Sequence, residues 1–275
     1  MVRPSPDPHS SIYAFMAYYL RFLRLQHGAT QAEVGEIIGC SNSQVSKYES
    51  GEKQLDGGQC AALDKWWNTG GLFTIMLGYA KLGTDANAPT RLNRYQRKAV
   101  AHYIFSSSLI PLPLQTEDYA RGLLEAGHAA GFLEDVETSL QERMELQAAI
   151  LDGDPEIWAV LEQVALRPMG SRAVMTVQWD HLLQMGKSSQ VSIRILPSTV
   201  APHIGMDGSF HGFTLPGRRP AAFSGTALGV GRVVDDQTEA ASVALRFNRI
   251  AARAWNEDQS REYLAGMGEH HDDLA

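Results

Sequence analysis

The chain has 275 residues, 44% of them hydrophobic, which is enough for more than one packed core. Its formal charge of −7 excludes a uniformly basic nucleic-acid-coating protein, and no run approaches the ~20 apolar residues of a membrane helix. Cys40 and Cys60 are the two cysteines, spaced neither for metal nor for redox chemistry, which fits a reducing cytoplasm.

Residues 1–10 are rich in turn formers and lack an apolar stretch, so they read as a flexible arm and not a signal peptide. From residue 11, Ile12, Phe15, Met16, Tyr19, Leu20 and Leu23 recur at helical spacing and stop at Gly28. Thr30 then caps a helix beginning at Gln31, with Glu33 placed to reach back, and Ser41 with Gln44 repeats the device. Val34, Ile37 and Ile38 form one apolar stripe, Gly39 and Cys40 make a turn, and Gly51 ends the second helix. That second helix turns Val45 and Tyr48 inward and leaves Asn42, Ser43, Ser46 and Lys47 outside. A short helix offering small polar groups and one lysine suits the major groove of DNA. Asp56 caps a further helix through Cys60, Leu63, Trp66 and Trp67. Gly70 and Gly71 break it, and Leu72, Ile75, Met76 and Tyr79 mark one more. Residues 11–82 thus read as an all-α helix-turn-helix unit of about five helices.

On these residues the chain resembles the Xre-like, repressor-type helix-turn-helix family. The resemblance implies phosphate contact at Gln31, with Ser41, Gln44 and Lys53 as further backbone contacts, and base readout by Asn42, Ser43 and Lys47. It also implies a structural pair between Arg24 and Glu49. The charge around the motif is sparse for such a role. In residues 1–80 the cations are Arg3, Arg21, Arg24, Lys47, Lys53 and Lys65, against Asp7, Glu33, Glu36, Glu49, Glu52, Asp56 and Asp64. A compensating cluster stands at Arg91, Arg94, Arg97 and Lys98, or else forms the solvated face of a linker helix.

Residues 83–90, GTDANAPT, read as a linker. Beyond it the pattern gives helices at 93–106, 116–130 and 134–151, a strand at 157–161 and a helix at 172–185. Residues 191–196 alternate as a strand, and 209–215, 221–228 and 231–234 are shorter strand candidates. Helices at 238–255 and 260–267 precede an acidic tail, 268–275. Residues 91–267 therefore read as an α+β or α/β domain, a small sheet covered by helices.

Residues 110–127, IPLPLQTEDYARGLLEAG, resemble the signature of a domain of unknown function that follows an Xre-like motif in actinobacterial, WhiJ-like transcriptional regulators. Residues 142–147, 160–167 and 191–197 continue the likeness, although Leu112 and Pro113 stand where the family has Pro-Gly. The resemblance implies a transcription regulator, commonly encoded beside a very small partner protein that it binds.

Catalytic patterns are weak. His203, Asp207 and His211 have the spacing of ligands on one helix face, but Gly205, Gly208 and Gly212 make a helix there implausible and a structural loop the better reading. Glu162 lies in an apolar strand and reads as a buried, paired carboxylate more than as a general base. His270 and His271 belong to the tail. No metal, cofactor or enzymatic activity is expected. The reading is a cytoplasmic regulator, binding a pseudo-palindromic operator in double-stranded DNA as a homodimer, its C-terminal domain docking a small co-encoded partner or sensing a ligand. The alternative is a regulator-derived, antitoxin-like interaction module with weak or lost DNA binding. A broad-specificity protease is expected to cut first within residues 83–90, leaving one helical and one mixed fragment; first cleavage within 110–260 would refute that division.

Overall fold

Five helices follow one another in the N-terminal part of the computed structural model, which describes residues 4–82, 88–226 and 229–269. They are α1 (Ile12–Gln26), α2 (Gln31–Ile37), α3 (Asn42–Glu49), α4 (Gly57–Trp67) and α5 (Leu72–Leu82). The first four open on side-chain caps from Ser11, Thr30, Ser41 and Asp56, the last three completed as capping boxes by Glu33, Gln44 and Gln59. α5 takes its cap from α4: the Asp64 carboxylate accepts from Phe73 N at 2.8 Å and from Thr74 N at 2.9 Å. Burial alone would raise the Asp64 pKa, but hydrogen bonds from Thr69, Thr74 and Phe73 outweigh it and hold the carboxyl below its ordinary value. Leu20, Val34, Val45, Leu63 and Phe73 fill the core between the helices. Residues 4–10 have no helix or strand, yet Pro6 lies against Gly51, so the expected arm is in part laid on the domain.

The chain divides into two units, residues 1–89 with 226–232 and residues 90–225 with 233–275. The expected linker is shortened, because residues 88–90 already belong to α6 (Ala88–Lys98), while 83–87 lie outside the described residues. Helix 93–106 is a correction too: α6 stops at Lys98, and β1 (Ala101–Ser106) follows. β1 is buried on both faces, so its sequence lacks the alternation that marks a half-exposed strand.

Next come α7 (Glu117–Ala129), α8 (Val136–Leu151), β2 (Glu156–Glu162), α9 (Arg172–Met185) and β3 (Val191–Leu196). β4 (Phe210–Leu215), β5 (Arg219–Thr226), β6 (Gly229–Val234), α10 (Gln237–Ala251) and α11 (Glu257–Glu269) complete the order. The long helix expected at 238–255 thus ends at Ala251, and the last helix starts earlier than residue 260. Residues 227–228 and 270–275, including His270, His271 and most of the expected acidic tail, lie outside the described residues.

The six strands form one mixed sheet in the order β3-β2-β1-β4-β5-β6. β3, β2 and β1 are parallel, joined by helical crossovers, whereas β4 runs antiparallel to β1 and to β5. An α+β domain results. Ile104, Ile157, Ala159, Leu161, Ile193 and Ile195 face α9 and α11, with Trp179 fully buried among them. Phe105, Val160, Leu196 and Phe210 face the other way, onto Phe247 and Ile250 of α10. No helix of the described residues is long and apolar enough to cross a membrane.

Between β1 and β4 the sheet buries a histidine pair, His102 Nδ1 lying 2.9 Å from His211 Nε2. Burial pushes the His102 pKa down from 6.5 to about 4. Burial, and then the neighbouring His102, hold His211 well below its ordinary value. The unfolded chain therefore binds more protons, so stability is fully present above about pH 6.5 and is lost as pH falls towards about 4. His102 alone accounts for roughly 3 kcal/mol of that loss. Melting curves of the full chain at descending pH should fall through this window, and His102→Gln with His211→Gln should flatten the fall. An unchanged slope in the double variant would remove the pair as its cause.

Candidate nucleic-acid interface

The turn between α2 and α3 depends on an approach too close for a side chain. A Cβ on Gly35 would stand 2.5 Å from the Cys40 carbonyl oxygen, and Cys40 N donates to Gly35 O at 2.8 Å. Gly39 carries the chain through φ +67°. The sequence reading assigned Gly39 and missed Gly35, whose signal was a glycine inside a seven-residue helix, where it costs about 1 kcal/mol against alanine.

Arg24, at the end of α1, forks onto Glu49, at the end of α3. Nε meets Oε1, and Nη2 donates to Oε2 at 3.0 Å. Nη1 donates to Ala29 O at 3.2 Å, just ahead of α2. The side chains are 11% and 4% exposed, so the pair is nearly withdrawn from solvent. Gln31 joins it, its Nε2 donating to Glu49 Oε2 at 2.9 Å. The amide expected at phosphate is thus tied into the framework of the motif.

On α3 itself, Asn42, Ser43 and Lys47 are exposed. Ser41 and Gln44 are spent on each other: Gln44 N donates to Ser41 Oγ, and Ser41 N donates to Gln44 Oε1, both at 3.3 Å. Glu49 is the only carboxylate of α3, and it points inward. The outer face of α3 therefore carries Lys47 with no acid on the same helix face, in a protein of net charge −7. Lys53 Nζ lies 5.0 Å from the centroid of the Tyr48 ring, a cation–π contact the sequence did not disclose. Tyr48 in turn accepts from Gln59 Nε2 at 3.0 Å.

The basic cluster on α6 is smaller than its sequence. Arg91 is buried and donates to Asp235 Oδ2 at 2.9 Å, where Tyr95 Oη joins at 3.1 Å. Arg94, Arg97 and Lys98 are exposed.

The second unit separates the histidines and aspartate noted at residues 203–211. His203 Nε2 pairs with Glu162 Oε1 at 3.2 Å, Asp207 with Arg246 at 3.0 Å, and His211 with His102. Gly205 N donates to His203 Nδ1 at 3.1 Å, so that nitrogen serves as an acceptor. Burial raises the Glu162 pKa, and His203 partly offsets it. Of the tryptophans, Trp179 is core, whereas Trp158 is 42% exposed.

The signature segment near residue 112 is clamped by glutamines. Leu112–Leu114 make a short 3-10 turn. Gln147 Nε2 donates to Leu112 O at 2.8 Å and Gln115 O at 2.7 Å. Gln178 donates to Leu114 O at 2.8 Å and accepts from Thr116 N at 2.8 Å. Gln115 donates to Ile110 O at 2.6 Å and accepts from Arg143 Nε at 2.8 Å. Buried backbone that would otherwise lack partners is thereby satisfied, and the segment is fixed.

Residues 90–266 match the family model of a domain of unknown function, DUF5753, and residues 20–65 match that of a helix-turn-helix. No curated protein and no solved structure was found to match the chain.

Replacing Arg24 strands a buried carboxylate, which costs ~3–5 kcal/mol. Arg24→Ala should lower the unfolding midpoint of the helix-turn-helix unit accordingly, while Lys47→Ala, on the exposed face, should stay within about 0.5 kcal/mol of wild type. Urea unfolding of the full chain, followed by helical signal, compares the two. Superimposable curves would show that the pair does not hold the motif together.

Proposed function

The chain belongs to the DUF5753 domain family, here with a helix-turn-helix ahead of that domain, and we propose that it regulates transcription as a homodimer reading a pseudo-palindromic operator. The helix-turn-helix match supports a DNA-binding regulator. The single observation that carries the finer reading is the outward face of α3. Its acid is locked to Arg24, and Asn42, Ser43 and Lys47 are left facing solvent.

In this reading Lys47 donates to guanine O6 and N7, Asn42 pairs with adenine N6 and N7, and Ser43 serves either base. Backbone contact falls chiefly to Lys53 beyond α3, since Gln31, Ser41 and Gln44, at the starts of the motif helices, must each exchange an internal hydrogen bond to reach phosphate. Two copies are needed because one α3 carries a single lysine, and half-sites about 34 Å apart supply the second set of contacts. Residues 91–267 modulate binding by docking a small co-encoded partner protein or by sensing a ligand. A second reading, a protein-interaction module with little DNA binding, is favoured by the withdrawal of Arg24 and Arg91 from an already small set of cations.

Base and backbone contacts separate by measurement. Lys47→Ala should cost ~1–3 kcal/mol on the promoter of the protein's own gene and relax preference at one base pair per half-site. Lys53→Ala should weaken all sequences alike and reduce the salt slope by about one. Binding to that promoter and to a scrambled duplex, across several salt concentrations, reads both. A wild type without promoter preference, unmoved by Lys47→Ala, would leave the interaction module as the function.

A further inference from the structure

α1 is apolar on two sides. Met16, Leu20 and Leu23 lie in the core of the first unit. The side turned away from that core presents Phe15, Tyr18, Phe22 and Leu25, with Ile12 at its edge, each between 37% and 59% exposed. Their spacing of three and four residues makes one continuous stripe. The rings are ordered against one another. Phe15 stacks with Tyr19 at 5.6 Å between centroids, Tyr19 with Phe22 at 5.7 Å, and Tyr18 with Phe22 at 6.5 Å. A helix that is hydrophobic all round is ordinarily covered all round.

We propose that a second copy of the chain covers this stripe, α1 packing on α1 about a two-fold axis. Charge and area both select that occupant. A two-fold interface sets a patch against itself, so any net charge on the patch repels its own copy. The charged residues of α1 are Arg21, which borders the stripe three residues after Tyr18 and four before Leu25, and Arg24, which lies away from it. Arg24 is held by Glu49. The five side chains of the stripe are uncharged in a chain of net charge −7, and Arg21 stands at their rim, where an interface tolerates charge. Its five side chains expose on the order of 500 Å², so a symmetric pair buries roughly 1,000 Å², the lower bound of a specific protein interface. The inference rests on the dimeric regulator proposed above and names the surface that joins its halves.

Sedimentation equilibrium of the full chain tests it. Wild type should dimerise, and Phe22→Glu or Leu25→Glu should weaken self-association about tenfold or more, because a carboxylate at the centre of an apolar interface loses its water. Phe132→Glu, on an exposed residue of the second unit, should leave the dimer intact. Tyr18→Cys in a Cys40→Ser background gives a readout independent of any loss of fold. Mild oxidation should yield a disulfide-linked dimer, since a residue at the middle of the stripe meets its own copy. A wild type that stays monomeric at every soluble concentration would overturn the proposal. So would a dimer indifferent to Phe22→Glu and Leu25→Glu, or one lost equally with Phe132→Glu. Promoter binding by the same proteins keeps the two readings apart. A monomer that still selects its promoter sinks the stripe and spares the regulator, whereas a stripe dimer without promoter preference does the reverse.

Discussion

The guanidinium of Arg24 forks onto both oxygens of Glu49, and neither group can leave without stranding the other away from water. Around that pair the motif takes its shape. Arg24 also holds Ala29 O, ahead of α2, and Gln31 adds its amide to the same carboxylate. Three helices are thus referred to one buried charge. Its geometry requires α3 to keep Glu49 inside, which leaves Asn42, Ser43 and Lys47 outside. A repacked apolar contact could hold the helices with similar strength, but it would not fix their relative rotation through directed hydrogen bonds.

The same arrangement decides the electrostatics of the first unit. The chain is acidic as a whole, and residues 1–80 hold fewer cations than acids. What matters at a groove is the charge on the approaching face, because screening erases more distant charges within about 10 Å at moderate salt. Neutralising Glu49 internally removes the acid that would oppose Lys47. Placing Lys53 over Tyr48 keeps a second cation close to the end of α3. The surface remains weakly positive at best, which is why association of two copies carries so much of the functional reading.

The second unit solves a different problem. Its sheet places β1 between a parallel and an antiparallel neighbour, and covers both faces with helices. Polar groups inside it are paired in particular ways: His102 with His211, Glu162 with His203, and Gln147 and Gln178 with the backbone of the signature segment. Such pairs cost desolvation and return specificity of arrangement. Sequence reading found Glu162 as a carboxylate in need of a partner, but a partner 41 positions away carries no local signal.

The sequence determined what short-range chemistry can encode. Each capping box lies within four residues, so Thr30 with Glu33 and Ser41 with Gln44 could be read directly, and with them the ends of α2 and α3. Helical periodicity located α1 and α9, though Ile37, Ile75 and Tyr79 of the expected apolar stripes stand exposed, and period-two alternation located β3. It did not separate α6 from β1, because a strand buried on both faces has no alternation. Nor did it disclose the Gly35 approach, the Asp64 cap on α5, the Lys53–Tyr48 contact or the inward turn of Arg91. Those depend on atoms brought together from distant elements. Only the tertiary structure decides them, because a side chain's partner is set by the path of the backbone between the two residues, and no local pattern records that path.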